Sequence, residues 1–441
     1  DSYLSEFEAP STPADSEIAT QKFKGEPWKV VETFPAQGGG EEKHMVMVNW
    51  LLNEAPLTAE EEITLVVLDH LLMGTTTAAL YKPVMESGLG EAVLGGGVSD
   101  ELKQATFSVG LKGVAKDKVG DVETLVLETL EKVASDGFDA EAVEASLNTI
   151  EFQLRECNTG GFPKGLSFML SVMPRWLYAE GGDDANPMDA LRFEEPLAAL
   201  KARLAKGEKV FESMLNRVLV DNRHRATVEM QPDATLAERM TAEETERLAE
   251  AKAAMAPEEV AKVIEETAAL KRAQLAEDSE EQLASIPKVG LADLERKVKT
   301  VPTVESAIAG GGTLLTHPIP SGGVVYADLA LDLSSVPFSE LPLLNLLTRL
   351  MLEAGTSSLD AVALQRAIGA RTGGISAQTI FQNVNAADGA IADPWALDAR
   401  LLVRAKGTLH VLLSHAHDLL SADANGLSDP YVKLTLGGAE H

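Results

Sequence analysis

The sequence has a single cysteine, Cys157, among its 441 residues. One cysteine cannot form an intramolecular disulfide, which suggests a reducing compartment or indifference to one. A catalytic thiolate needs a partner that lowers its pKa, and the nearby Arg155 and Glu156 make no evident activating arrangement. We therefore interpret Cys157 as an ordinary helix residue and not as a nucleophile.

Basic residues are also scarce. Lys and Arg number 38 against 68 Asp and Glu, which gives a formal net charge of -30. Nucleic-acid binding needs a basic surface that releases counterions from phosphates, and a bare anionic membrane repels an acidic protein. The sequence also lacks a run of about 18 apolar residues, the length that spans a bilayer as a helix. These shortages argue against a nucleic-acid-binding protein and predict no transmembrane helix.

The usual catalytic signatures are missing too. The sequence has no HxxEH or HExxH zinc motif, no GxSxG nucleophile elbow and no GxxxxGK phosphate loop. The eight histidines are His44, His70, His224, His317, His410, His415, His417 and His441. We interpret His70, which lies in an apolar helical stretch, as a core residue. His415 and His417 would point the same way on a strand and could hold a metal, but we interpret them as ordinary strand residues.

The sequence does contain a strongly patterned stretch at residues 58–113. Thr58 followed by Glu61 forms a capping box, in which each side chain accepts a hydrogen bond from the other residue's backbone N–H. This pattern predicts a helix that begins after Thr58. Apolar residues lie nearly all round that helix, so we expect it to be buried.

Glycines divide the rest of this stretch. Gly74 predicts the end of the first helix, and a second helix is expected over residues 78–87. Two short runs follow, at residues 91–94 and 106–111, with glycines and polar residues between them. Such a pattern is typical of a β-hairpin.

Strands and helices alternate in groups along the chain. Strands are predicted at residues 28–34 and 44–52, and helices at 116–135 and 139–156. A charged, Ala-rich stretch at 236–277, interrupted before Pro257, predicts a helical hairpin. After residue 313 the order of strands, helix, Gly-Thr and helix repeats faintly. The fold class is therefore α+β, with helices covering one face of an antiparallel sheet.

Six segments of the sequence carry a resemblance to a known family. They are LLMGT, ESGLGEA, LKQATFSVGLKGV, AVEASLNTIEFQLRE, CNTGGFPKGLSFML and HRATVEMQPD. The sequence from residue 2 to residue 407 resembles the presequence proteases, organellar peptidasomes of the pitrilysin superfamily of zinc peptidases. The resemblance covers the part of that family after its catalytic domain, and it implies pitrilysin-like layers of antiparallel sheet covered by helices, with a helical hairpin linker.

The resemblance also implies a division into domains. We expect a lead-in at 1–24, a non-catalytic pitrilysin-like α+β domain at 25–233, a helical hairpin linker at 234–298, an incomplete second-half domain at 299–406, and a separate β fragment at 407–441.

The last segment, GTLHVLLSHAHDLLSADANGLSDPYVKLTLGG, resembles the start of a synaptotagmin-type calcium- and lipid-binding module. In that family, aspartates of the first loop bind calcium through carboxylate oxygens. The matching positions are Asp423 and Asp429, and two carboxylates cannot supply the six to eight ligands that calcium takes. The resemblance therefore implies, at most, an incomplete calcium site.

The function implied by the main resemblance is that of a non-catalytic portion of a zinc metalloendopeptidase. The family degrades targeting peptides and other short unfolded peptides in the mitochondrial matrix or chloroplast stroma. Zinc is the family's cofactor, but this chain carries no zinc motif. We expect peptide substrates and a catalytic zinc domain, upstream or on another chain, as partners, and no activity from the chain alone.

Two other interpretations remain open at this point. The chain starts at Asp1 without a targeting segment and reaches only the first part of the lipid-binding resemblance. It could be a non-catalytic scaffold or a calcium- and lipid-binding fusion protein, with membrane contact only if that module is completed. Alternatively, it could be a truncated or chimeric gene product.

Overall fold

A computed structural model describes residues 5, 18–36, 43–178, 186–297, 300–308, 311–321, 323–383, 397–407 and 431–436. These residues fall into two units. The first draws on Asp1–Val30, His44–Glu229 and Pro302–His441, and the second on Val31–Lys43 and Met230–Val301. The fold is α+β, as predicted, because antiparallel strand pairs and helices alternate in groups.

The first sheet has five strands in the order β1-β5-β2-β4-β3. Their bounds are Trp28–Pro35 for β1, Lys43–Leu51 for β2, Ala92–Ser99 for β3, Thr106–Ala115 for β4 and Arg225–Asp233 for β5. Strand β2 alternates buried and half-buried residues along its length. Val46, Val48 and Trp50 therefore point into the core, as the two-residue period of a strand requires.

The described residues between β2 and β5 form seven α-helices. They are α1 (Ala59–Met73), α2 (Tyr81–Glu86), α3 (Val119–Asp136), α4 (Ala140–Glu156), α5 (Lys164–Tyr178), α6 (Glu194–Ala205) and α7 (Val210–Leu215). The predicted capping box at Thr58 and Glu61 is confirmed, and α1 is buried along most of its length. The second helix is shorter than predicted, because residues 75–80 form turns whose Ala79 and Leu80 amides donate to the end of α1.

The predicted hairpin is confirmed as the antiparallel pair of β3 and β4. Strand β3 extends well beyond the predicted residues 91–94, through the glycines to Ser99. Gly95 and Gly97 have φ angles of 85° and 73°, and the register shifts between Leu94 and Gly97. Glycine tolerates such positive φ values, so the glycines form an irregularity inside the strand where the sequence pattern had suggested its end.

The second sheet has six strands in the order β6-β7-β11-β8-β10-β9. The strands are β6 (Val304–Ala307), β7 (Thr313–Pro318), β8 (Val325–Asp332), β9 (Gly374–Asn383), β10 (Leu397–Gly407) and β11 (Tyr431–Leu436). Two helices, α11 (Leu341–Glu353) and α12 (Ala361–Arg371), lie between β8 and β9 in the sequence. A small core forms around Leu333, Leu344 and Leu401.

Strand β11 comes from the segment that resembles a lipid-binding module. It pairs parallel to β7 and antiparallel to β8 within the second sheet. The second sheet is therefore mixed and not purely antiparallel. Asp423 and Asp429, like His415 and His417, lie outside the described residues.

The second unit contains three helices, α8 (Leu236–Ala254), α9 (Pro257–Leu275) and α10 (Glu280–Ser285). The predicted break is confirmed, since Pro257 occupies the first position of α9. None of the described residues of α8, α9 and α10 is buried. These helices therefore gain little from apolar burial and rely on helix propensity and charged side chains.

Candidate functional site

A cleft of about 780 Å³ lies in the first unit. Its walls come from the first turns of α1, from the end of β3 and the β3–β4 connection, from α5, and from the short helix Pro187–Leu191. The apolar lining includes Leu57, Val66, Leu170, Trp176 and Tyr178. A cavity of this size with aromatic and aliphatic walls is typical of a ligand-binding site.

The charged side chains of the cleft are mostly acidic. Among the described residues that line it, the carboxylates are Glu62, Asp100, Glu101 and Asp189, and the cations are Lys103 and Arg175. Walls of low dielectric constant focus the field of one sign of charge. The cleft therefore favours a cationic ligand that also carries apolar groups.

The first turn of α1 is held by arginines from three other parts of the chain. Glu60 pairs with Arg203 at 2.6 Å, Glu61 pairs with Arg217 at 2.6 Å, and Glu62 pairs with Arg175 at 2.9 Å. Carboxylates are favourable at this end of a helix because the unpaired backbone N–H groups give it a partial positive charge. Burial raises the pKa of Glu61, but hydrogen bonds from Thr58 and Arg217 outweigh this and hold its pKa below the ordinary value.

Helix α5 forms the outer wall of the cleft. None of its fifteen described residues is buried. Its last turn contacts α1 through Arg175, whose Nε donates to both Glu62 carboxylate oxygens at 2.9 Å. Pro174 lies inside the helix, where it removes a backbone donor from the ladder.

Asp69 fixes the strand end that borders the cleft. Its Oδ1 accepts a hydrogen bond from the Val98 backbone N–H at 2.9 Å. Burial and the nearby Asp100 raise the pKa of Asp69 to about 6, although the Val98 hydrogen bond acts in the opposite direction. A β-carbon on Gly97 would lie 2.0 Å from Asp69 Oδ1, so glycine is required beside this contact.

His70 lies one residue further along α1 and does not line the cleft. Its Nδ1 is 2.9 Å from Ser146 Oγ on α4, and burial lowers its pKa below the ordinary value. Burial therefore favours the neutral form of this histidine. The structure places His70, predicted to be a core residue, in a half-buried position with this contact to Ser146.

A second cavity, of about 360 Å³, lies beside this histidine, where α4 and α12 come together. Arg366 of α12 donates to Asp139 at 2.9 Å, and Asn148 donates to the Ala370 carbonyl at 2.7 Å. Gly369 packs against Ala145, so small residues allow the two helices to approach closely. The contacts are those of a packed helix pair.

Glu156, at the end of α4, joins that helix to two strands of the second sheet and was not singled out from the sequence. Tyr326 of β8 donates to its Oε1 at 2.9 Å, and Lys406 of β10 donates to its Oε2 at 2.6 Å. The Lys406 ammonium also lies 4.7 Å from the centre of the Phe152 ring. Cys157 follows in a left-handed conformation with φ of 43° and caps α4, so it lies at the helix end and not within the helix.

The described residues hold no group of three or more His, Cys, Asp and Glu side chains placed to bind a metal ion. No helix within the described ranges is both long enough and apolar enough to cross a membrane. The calcium site at Asp423 and Asp429 stays a prediction, because both residues lie outside those ranges.

Two protein families match this chain. The family described as Peptidase M16 inactive domain matches residues 1–150, and the family described as associated with subfamily C of the M16 peptidases matches residues 230–413. Presequence protease 1, chloroplastic/mitochondrial, of Arabidopsis thaliana is 43% identical over 390 residues, which cover 88% of this chain and 36% of that protein. Protein HypA of Clostridium perfringens is 31% identical over 334 residues, which cover 76% of this chain and 33% of that protein.

The chain is a presequence-protease-like, non-catalytic portion of the M16 peptidases. It spans about a third of the length of these relatives. A crystal structure of pitrilysin is 15% identical with a TM-score of 0.36, over 86% of this chain and 35% of that one. The assignment rests on the sequence relationships, to which so low a TM-score adds nothing.

The two M16 matches place the walls of the cleft in different regions. Helix α1 and the hairpin of β3 and β4 lie within the inactive-domain match at residues 1–150. Helix α5 lies between the two matched ranges. The outer wall of the cleft therefore lies outside the range that the M16 inactive-domain family matches.

Proposed function

We propose that this M16 chain is the peptide-binding, non-catalytic part of a presequence-protease-like zinc metalloendopeptidase. A catalytic zinc domain, on the same polypeptide or on another, would hold the metal and cut the peptide. The chain itself binds and positions the substrate. The names of the relatives support an organellar location, and we propose the mitochondrial matrix or the chloroplast stroma.

The observation that carries this proposal is the chemistry of the cleft. Its aliphatic and aromatic walls suit the apolar face of an amphipathic peptide, and its excess of carboxylates suits basic side chains. Organellar targeting peptides are amphipathic, rich in arginine and poor in acidic residues. The formal net charge of -30 would also attract such peptides over a distance at low salt.

The expected domain organisation belongs to the same proposal. Residues 25–233 would form the non-catalytic domain that carries the cleft, residues 234–298 the helical linker, and residues 299–406 the first part of a second-half domain. The match of the subfamily C associated family to residues 230–413 supports a change of domain near residue 233.

Peptide binding tests the proposal directly. A fluorescently labelled amphipathic peptide with several arginines is titrated with the 441-residue chain, and its anisotropy is compared with that of a matched peptide whose arginines are replaced by glutamates. We expect the basic peptide to bind and the acidic one not to bind, with weakening as salt is raised. Equal binding of both peptides, or binding of neither, would contradict the proposal.

Substitutions in the cleft locate the binding site. The double variant D100N/E101Q removes two carboxylates from the cleft without a large change in volume. We expect its affinity for the basic peptide to fall roughly tenfold, which corresponds to about 1.4 kcal/mol. The control E244Q changes an exposed glutamate of α8 and should leave the affinity unchanged.

A further inference from the structure

Helix α5 is attached to the first unit differently from the helices that come after it. Helix α6 buries Leu197 and Leu200, and α7 buries four residues. None of the described residues of α5 is buried. Because apolar burial supplies most of the stability of a helix in a protein, α5 can move away from its neighbours at a lower cost than α6 or α7.

The segment that leads into α5 is exposed at Gly160 and Gly161. Cys157 and Gly160 both have positive φ angles, of 43° and 58°. A β-carbon on Gly160 or Gly161 would meet nothing within 4 Å, so this segment is not packed against other atoms. Glu156, immediately before it, is fixed by Tyr326 and Lys406. Gly160 and Gly161 therefore lie in open space between the anchored Glu156 and the start of α5.

Arg175 holds the last turn of α5 against the opposite wall. Its guanidinium donates to both carboxylate oxygens of Glu62, and it lies 3.9 Å from Asp100. The side chains of Arg175 and Glu62 are 34% and 27% exposed, so water reaches the pair. Ion pairs with this degree of exposure contribute little net stability and exchange partners readily.

We propose that α5 is a movable wall of the cleft, and that Arg175 occupies on Glu62 the place that a basic side chain of a bound peptide takes. This inference rests on the proposed peptide-binding function. An arginine or lysine of the peptide replaces Arg175, so Glu62 keeps an ion pair throughout and the exchange costs little electrostatic energy. Helix α5, released from Glu62, then moves to accommodate the peptide. In the free chain, Arg175 competes with the ligand and limits its affinity.

The movable wall is tested without peptide by amide hydrogen exchange. The variant R175Q should exchange the amides of α5 about twofold to fivefold faster than the unchanged chain. R203Q is the matched control, because Arg203 pairs in the same way with Glu60 but belongs to α6, which is anchored by buried leucines. If the α5 amides exchange at the same rate in R175Q and R203Q, Arg175 does not hold the wall.

The competition is tested with the basic amphipathic peptide. R175Q should bind it about threefold to tenfold more tightly than the unchanged chain. K103Q is the control for charge, because it removes the other cation of the cleft, and it should give a smaller gain. In the E62Q background the gain from R175Q should disappear, because the carboxylate for which peptide and arginine compete is gone.

The outcomes separate this inference from the proposed function. If the unchanged chain binds the basic peptide but R175Q and K103Q give equal gains, the peptide-binding function stands and the competition by Arg175 is wrong. If no form of the chain binds the peptide, the proposed function and the competition both fail. In that case faster exchange in R175Q would support only the movable wall.

Discussion

Glu156 connects the end of α4 to strands β8 and β10 of the second sheet. Its side chain is 11% exposed, and its two carboxylate oxygens accept from Tyr326 and Lys406. Burial, together with the negative charge of Glu156, raises the pKa of Tyr326 to about 12. The tyrosine therefore stays protonated and remains a donor over the whole physiological range.

Removal of the Glu156 charge should weaken this connection. In E156Q the Lys406 ammonium, whose side chain is 28% exposed, loses its anion, and we expect the free energy of unfolding to fall by about 2 kcal/mol. Urea denaturation followed by circular dichroism measures the change. The control D121N affects an exposed pair with Lys118 and should cost less than about 0.5 kcal/mol. Equal losses in the two variants would show that Glu156 has no special role.

Asp69 predicts a dependence of stability on pH. Its pKa is raised from the ordinary 3.8 to about 6, so the folded chain binds more protons than the unfolded chain between these values. The stability that Asp69 contributes is therefore present below about pH 4 and is lost as the pH rises through 6. Each pKa unit corresponds to about 1.4 kcal/mol.

The variant D69N isolates this effect. The unchanged chain loses the contribution of Asp69 as the pH rises, and D69N does not. The free energy of unfolding of D69N minus that of the unchanged chain should therefore increase by up to about 2 kcal/mol from about pH 4 to about pH 7. Chemical denaturation at several pH values measures the difference. The exposed Asp121, changed to asparagine, should show no such trend. A constant difference between D69N and the unchanged chain across this range would contradict the assigned shift.

Among the elements, β4 depends on a glycine for its place beside β2. A β-carbon on Gly110 would lie 1.9 Å from the Val46 carbonyl oxygen, whereas one on Gly96 would meet nothing within 4 Å. G110A should therefore force the two backbones apart and cost about 3 kcal/mol, while G96A should change the stability by less than about 1 kcal/mol. Thermal unfolding distinguishes the two variants, and similar losses would contradict the close approach seen at Gly110.

The elements differ in how far the sequence could predict them. The start of α1 was predictable because a capping box is a local pattern of two residues three apart. The end of β3 was not predictable, because Gly95 and Gly97 form an irregularity inside the strand, whereas glycines usually mark the end of one. Beyond them, the Val98 backbone N–H donates to Asp69.

The cleft and the contacts of Glu156 with the second sheet could not be predicted from local sequence patterns. Glu156 meets Tyr326 and Lys406 across 170 and 250 residues of sequence. Arg175 likewise meets Glu62 across 113 residues. The apolar character of α5 is visible in the sequence, but no local pattern shows that none of its described residues is buried in the core. Such contacts follow from the tertiary fold and not from the spacing of neighbouring residues.

At the scale of the whole molecule, the net charge and the family relationship both favour the binding of basic peptides. The formal net charge of -30 suits basic ligands, and relatives that include a presequence protease cover most of the chain. The sequence carries no HxxEH or HExxH motif. We propose that this chain binds peptides and that a catalytic zinc domain, on the same polypeptide or on another, cuts them.

One measurement tests that claim most directly. The purified chain is incubated with zinc and with the basic amphipathic peptide, its bound zinc is counted by elemental mass spectrometry, and the peptide is analysed by mass spectrometry with and without EDTA. We expect bound but uncut peptide and no stoichiometric zinc. Stoichiometric zinc together with cleavage that EDTA abolishes would contradict the account.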